Sequence, residues 1–230
     1  MPVLTRDGDV YLLNLGDGEN RFTPEWMAAV SEAFDEVEHA EGPRALVTTA
    51  SGKIWSNGLD LDLLLAAPSG AGAYIASVQT LFSRLLTLPA PSIAALQGHT
   101  FAAGAMLALA HDTRLMRADR GFFCLPEIDL GIPFTPGMAA LVQARLPHQT
   151  AHDAMITGRR YGGHEALAAG IVSSAPSEGE LLPASMAAAR ELARTAGATL
   201  RTIRTEMYRR PLELLRQGID PLDIGATGSD

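Results

Sequence analysis

The stretch LPAPSIAALQGHTFAAGAMLALAHDTRLMRADRGFFCLPEIDLGI (residues 88–132) alternates between two kinds of local pattern. Its part PSIAALQG (91–98) is short and apolar, as in a buried strand, and TRLMRADRGFFCL (113–125) predicts one or two further strands. Between them, HTFAAGAMLALAHD (99–112) begins as a loop and continues as a helix of small residues. Strands that alternate with helices in this way predict an α/β fold.

The alternation continues on both sides of this stretch. Strands are predicted at DVYLLNL (9–15) and ALVTTA (45–50), and a loop at SGKIWSNGLD (51–60). Helices with apolar residues at helical spacing are predicted at 25–40, 72–88 and 135–146, with Thr23 and Thr135 as N-caps. Beyond residue 149 the pattern is helical, apart from IVSSA (171–175). We therefore predict an α/β core over residues 1–175 and a helical segment over 176–230.

The composition argues against several classes of protein. A net charge of −8 is unlike that of a nucleic-acid binder, which usually carries a basic face. No apolar run reaches the roughly 18 residues of a membrane-spanning helix, and the N-terminus lacks the basic and apolar regions of a secretion signal. The single cysteine, Cys124, excludes an internal disulfide and fits a reducing compartment. These features predict a cytoplasmic protein without a nucleic-acid or membrane partner.

Glu127 lies in the otherwise apolar stretch FFCLPEIDLGIPF (122–134), where Asp129 is the other charged residue. Burying a carboxylate is costly unless it is paired or its pKa rises. A raised pKa suits a general base, so we interpret Glu127 as a catalytic base that works alone. The alternative is a glutamate on a surface loop. For Asp129 a structural role is expected.

Two segments are candidates for helix N-termini that bind an anion. In SNGLD (56–60), Gly58 permits a sharp turn, and in GHTFAAGAMLALA (98–110) the small residues Ala102, Ala103 and Gly104 open a helix. Helix N-termini expose unpaired N–H groups and the positive end of the helix dipole. Two of them in one cleft would stabilise a developing oxyanion. The alternatives are a tight turn and a helix packed closely on a sheet.

In their order and spacing these segments resemble the crotonase superfamily, also called the enoyl-CoA hydratase/isomerase superfamily. The resemblance rests on TASGKIWSNGLDL (49–61), on residues 88–132 quoted above and on ITGRRYGGHEALAAGIV (156–172). It is strongest to the shorter enoyl-CoA isomerases. The resemblance implies a spiral of β-β-α turns with a helical C-terminal segment. It also implies assembly into trimers or dimers of trimers, for which residues 176–230 are the expected contact.

The resemblance assigns roles to individual residues. The N–H groups of Leu59 and Ala103 would form the oxyanion hole, with alanine at 103 where the family mostly has glycine. Gly58 makes the turn before Leu59 and is expected to be among the substrate-binding residues, and the backbone near Asn57 would meet the adenine of coenzyme A. Glu127 matches the family's catalytic glutamate.

Met106 distinguishes between two reactions of the superfamily. Its hydratases hold a water between two glutamates, and the second would stand at position 106. A thioether is a weak acceptor and no base. The resemblance therefore implies isomerisation of a 3-enoyl-CoA to a 2-enoyl-CoA, in fatty-acid metabolism. A hydratase or another crotonase activity is one alternative, and a non-catalytic acyl-CoA-binding scaffold is another. Met106 itself either lines the acyl pocket or fills the core.

The remaining polar residues each have two interpretations. Lys53 is the single lysine among 18 basic residues and either meets a phosphate of coenzyme A or is solvated. His99 lies either near the pocket or in a structural position. His148 and His152 have i,i+4 spacing but no third ligand, so no metal is expected, and coenzyme A enters as part of the substrate rather than as a cofactor. Phosphate binding or a solvated position is also open for Arg201, Arg204, Arg209 and Arg210.

Overall fold

The computed structural model describes residues 1–66 and 68–217, and these ranges contain eight strands and eleven α-helices. The strands are β1 (Val3–Asp7), β2 (Val10–Asn14), β3 (Ala45–Thr49), β4 (Ile54–Ser56), β5 (Ser92–Leu96), β6 (His99–Phe101), β7 (Thr113–Met116) and β8 (Phe123–Cys124). The helices of the first part are α1 (Pro24–His39), α2 (Leu61–Ala66), α3 (Ala71–Leu86), α4 (Ala103–Ala110), α5 (Glu127–Leu130) and α6 (Pro136–Arg145). Those of the second part are α7 (His148–Thr157), α8 (Gly163–Ala168), α9 (Glu178–Leu192), α10 (Ala198–Met207) and α11 (Arg209–Leu215).

The chain winds as a spiral of three β-β-α turns. Each turn adds one strand to a five-stranded sheet of order β1-β2-β3-β5-β7, one strand to a three-stranded sheet of order β4-β6-β8, and then a helical part. All pairs are parallel except β1 with β2. The described residues therefore confirm the predicted mixed α/β architecture with a helical C-terminal part.

The larger sheet is covered on both faces, as parallel sheets usually are. Alternate strand residues point to opposite faces. One set, including Val47, Ile93 and Ala95, packs with Leu181 and Met186 of α9. The other set faces the main core. Residues beyond 175 thus complete the cover of the sheet within this chain, whereas their predicted role in oligomerisation stays a prediction. Residues 218–230 of that segment lie outside the described residues.

Several sequence predictions need correction at the level of short elements. The strand predicted at 9–15 is the second one, because β1 precedes it as a largely exposed edge strand with no apolar alternation. The predicted loop at 51–60 contains β4, and the loop that was to open the helix at 99–112 contains β6. Strands of three residues are too short to show a period. IVSSA (171–175) forms only an isolated bridge, from Ser174 to Leu115.

The helix starts agree well with the sequence. The side-chain oxygens of Thr23 and Thr135 accept hydrogen bonds from Trp26 N and Met138 N, as N-caps do. Within the described ranges, no helix combines the length and the apolar character needed to cross a membrane.

Candidate active site

Glu127 begins the short helix α5, directly after β8 and Pro126. It was predicted in an apolar stretch and is only 6% exposed. Its Oε2 atom is buried without a hydrogen-bond partner in the described part of the chain. Burial raises the pKa of this carboxyl from 4.5 to about 7. The side chain lines a cavity of about 410 Å³, so the structure holds a carboxyl of raised pKa against open space.

The two candidate helix starts meet at this cavity. Gly58 has a φ of +80° and lies directly against the first turn of α4. A Cβ added to Gly58 would be only 2.7 Å from the backbone nitrogens of both Ala103 and Gly104. Leu59 and Ala103 line the same cavity as Glu127. The fold therefore brings together three residues that are far apart in the sequence.

Ala102 holds the turn before α4 in an unusual conformation. Its φ of 50° and ψ of −128° lie where side chains other than glycine are strained, at a cost of about 1–3 kcal/mol. Two hydrogen bonds hold the residue there, from Ala102 N to Cys124 O and from Met106 N to Ala102 O. Ala103 is already helical and unstrained. The strained residue is therefore Ala102, one residue before the position where the family mostly has glycine.

Much of the cavity wall is apolar. Met106 is 1% exposed and lines the cavity, so it belongs to the cavity wall as well as to the core. Other apolar residues of the wall are Leu61, Leu64, Ile75, Phe134 and Met138. Asn57 also lines the cavity. Position 106 thus offers no second carboxyl to pair with Glu127.

Comparison with known proteins places the chain in a family. Residues 7–221 match the family model described as enoyl-CoA hydratase/isomerase. The chain belongs to the enoyl-CoA hydratase/isomerase family. The predicted resemblance and the predicted spiral fold are therefore confirmed.

Relatives within the enoyl-CoA hydratase/isomerase family match nearly the whole chain. Enoyl-CoA delta isomerase 2, peroxisomal, of Arabidopsis thaliana is 37% identical, over 90% of this chain and 92% of that protein. Enoyl-CoA delta isomerase 3 of the same plant is 36% identical, with the same coverage. The crystal structure of an enoyl-CoA hydratase/isomerase family protein from Pseudomonas syringae superposes with a TM-score of 0.87 at 26% identity, over 93% of each chain.

The cavity wall also contains a cationic side chain that the sequence analysis did not single out. Arg160 lines the cavity, with its guanidinium carbon 5.8 Å from the centre of the Phe101 ring. No acidic side chain of the described residues forms an ion pair with it. Arg160 gave no sequence signal, because 17 of the 18 basic residues of this family member are arginines. Its position became visible only in the fold.

His99 lies beside this arginine, as one of its two interpretations proposed. Its Nδ1 atom is buried without a hydrogen-bond partner among the described residues. Burial lowers the pKa of His99, and the nearby charges of Arg160 and Arg120 lower it further. The imidazole is therefore held neutral at the cavity wall.

The remaining candidates lie away from the cavity or are already paired. Lys53 is exposed and does not line the cavity, although its carbonyl accepts a hydrogen bond from His99 N. Arg201 and Arg209 pair with glutamates. Arg204 is buried against Asp112 and the Leu88 carbonyl, so the solvated interpretation is wrong for this residue.

The structure also shows the surroundings of His148, His152, Cys124 and Asp129. His148 and His152 are both exposed, and no group of three possible metal ligands occurs within the ranges that the structure describes. The Cys124 thiol donates to Gly158 O, and burial raises its pKa to about 11. Such a thiol is a poor nucleophile. Asp129 is exposed, lies against Gly158 and does not line the cavity.

Proposed function

We propose that this protein is an enoyl-CoA isomerase that moves the double bond of a 3-enoyl-CoA to position 2. The observation that carries the proposal is a single buried, unpaired carboxyl, Glu127, beside two helix starts, with Met106 where a second carboxyl would stand. The isomerase names of the Arabidopsis relatives support the same reaction. The proposal includes a role in fatty-acid metabolism.

In the proposed mechanism one proton moves and one charge is stabilised. The Glu127 carboxylate removes a proton from C2 of the 3-enoyl thioester, and the electron pair spreads into a dienolate. The N–H groups of Leu59 and Ala103 donate to the thioester oxygen, which carries most of the charge. Glu127 then returns the proton at C4. A general base typically contributes about 10²–10⁴-fold and each oxyanion donor about 10²–10³-fold.

We infer the position of the substrate from the residues of the cavity wall. The apolar acyl chain packs against Met106, Ile75 and Met138. The coenzyme A part leaves past Asn57 towards Arg160, because phosphates need local positive charge in a protein of net charge −8. Lys53, an exposed residue directly before β4, remains a proposed phosphate contact. Coenzyme A arrives with the substrate, and no further cofactor takes part in this mechanism.

Three further expectations belong to the proposal. A homotrimer or dimer of trimers is the proposed assembly. A cytoplasmic location stays a prediction, and the name of one isomerase relative contains the word peroxisomal. The scaffold alternative is disfavoured because a binding protein has no use for a buried, unpaired carboxyl, which costs folding free energy.

The ratio of two activities tests the assignment most directly. Hydration requires a water that is both held and deprotonated next to C3, and Met106 provides neither a base nor a strong acceptor. The wild-type protein is therefore expected to isomerise 3-hexenoyl-CoA much faster than it hydrates 2-hexenoyl-CoA. Both rates are measured on the same preparation. A faster hydration would show that another residue supplies a second base and that the proposed mechanism is wrong.

The pH dependence tests the raised pKa of Glu127. Only the carboxylate form removes a proton, and burial places its pKa at about 7. The value of kcat/KM is expected to rise about tenfold per pH unit below 7 and to level off above it. Initial rates between pH 5 and pH 9 give the profile. A plateau that already begins at pH 5 would exclude a base with this pKa.

A further inference from the structure

Gln79 is a buried polar residue next to the wall of the cavity. It lies on α3, one turn after the cavity-lining residue Ile75, and is 1% exposed. A glutamine amide has donors and an acceptor that need partners when buried. Its hydrogen-bond partners therefore show which elements it connects.

The amide of Gln79 joins three helices. Its Oε1 accepts a hydrogen bond of 2.6 Å from the Thr135 hydroxyl, and its Nε2 donates one of 3.1 Å to the carbonyl of Leu215, the last residue of α11. Thr135 is also the N-cap of α6, since its hydroxyl accepts from Met138 N at 3.2 Å. Both Thr135 and Met138 line the cavity. Gln79 thus links the cavity wall to the C-terminal helix.

Helices α6 and α11 are in close contact at Gly137. A Cβ added to Gly137 of α6 would lie 2.7 Å from Leu215 Cα and 3.0 Å from Gln79 Oε1. The backbones of α6 and α11 therefore touch at this point. Close-packed helices transmit a change in one position to their neighbours, so the start of α6 cannot retreat while Gln79 and α11 stay in place.

We propose that Gln79 is a positioning residue that sets the depth of the apolar part of the cavity. It thereby sets the longest acyl chain that the enzyme converts with high kcat/KM. The inference rests on the proposed function for the class of substrate. Gln79 does not touch the substrate itself. It holds Thr135 and Met138 at a fixed distance from Ile75, with the C-terminal helix as the outer support.

The test compares chain-length profiles of the wild type and Gln79→Ala. The alanine variant removes both hydrogen bonds and leaves space behind Thr135 and Met138. Its kcat/KM is expected to shift towards longer 3-enoyl-CoAs, by about fourfold for each methylene newly removed from water. The shift is expected in KM rather than in kcat, since Glu127 is not displaced. Gln79→Met keeps most of the volume and is expected to give a smaller shift in the same direction.

Thr48→Val is the matched control. Thr48 is also 1% exposed and also forms a buried side-chain hydrogen bond, of 2.8 Å to His111 Nε2, but it does not line the cavity. Thr48→Val is expected to lower the melting temperature without changing the chain-length profile of kcat/KM. If Gln79→Ala and Gln79→Met lose stability but keep the wild-type profile, the inference is wrong.

A binding measurement separates this inference from the proposed function. Dissociation constants for saturated acyl-CoAs of six to twelve carbons are determined for each variant, and these ligands require no turnover. A shift towards longer ligands in Gln79→Ala supports the inference even if the wild type fails to isomerise. An unchanged binding profile overturns it even if isomerase activity is present.

Discussion

Replacing Glu127 by glutamine is expected to lower isomerase turnover by about 10²-fold or more, while acyl-CoA binding is retained. Glutamine has nearly the same shape but cannot take a proton, and Glu127 is the ionisable carboxyl that lines the cavity among the described residues. Turnover of 3-hexenoyl-CoA and the dissociation constant of a saturated acyl-CoA are measured side by side.

Asp129→Asn provides the matched control. Asp129 lies two residues further along the same short helix, is exposed and does not line the cavity. Its loss is expected to leave turnover close to that of the wild type. Wild-type turnover in Glu127→Gln, or an equal loss in both variants, would remove the assignment of Glu127 as the base.

Glu127→Gln is also expected to change the stability of the protein. Between pH 4.5 and about 7 the folded protein keeps a proton on Glu127 that the unfolded chain has released. The free energy of unfolding therefore falls as the pH rises through this window. A shift of this size corresponds to roughly 3 kcal/mol. Glu127→Gln is thus expected to exceed the wild type in stability at pH 8 but not at pH 4.5, as measured by denaturant unfolding.

Substituting Gly58 by alanine is expected to lower turnover by about 10²–10³-fold, the usual effect of losing one oxyanion donor. The added Cβ would lie 2.7 Å from Ala103 N, so the first turn of α4 must move away from Leu59. The proposed pair of N–H donors would then no longer share one oxyanion. The expected loss is mainly in kcat, because the oxyanion donors act most strongly in the transition state.

Gly8→Ala is the control for backbone strain in this experiment. Gly8 also has a positive φ, of 60°, but a Cβ there would meet nothing within 4 Å. It is expected to lower stability through strain alone and to keep the wild-type turnover. If Gly58→Ala retains full kcat, the two helix starts do not form the oxyanion hole.

The family, the alternation of strands and helices and the proposed catalytic carboxyl could all be identified from the sequence. Glu127 was identifiable because a charge in an apolar stretch is a local anomaly. Met106 cannot act as a base, and the resemblance places it where hydratases have a second glutamate, so the sequence favoured isomerisation. The helix starts at Thr23 and Thr135 were also readable, since an N-cap is a contact between near neighbours in the chain.

The tertiary structure alone decided the shape and surroundings of the cavity. The three-residue strands β4 and β6 are too short to show a period, and their pairing depends on contacts between distant turns of the spiral. In the sequence Arg160 is one of many arginines, and only the fold shows that it lies over the Phe101 ring. Gln79 meets partners 56 and 136 residues away. Local periodicity carries no information about such long-range contacts, because they arise only when the helices pack.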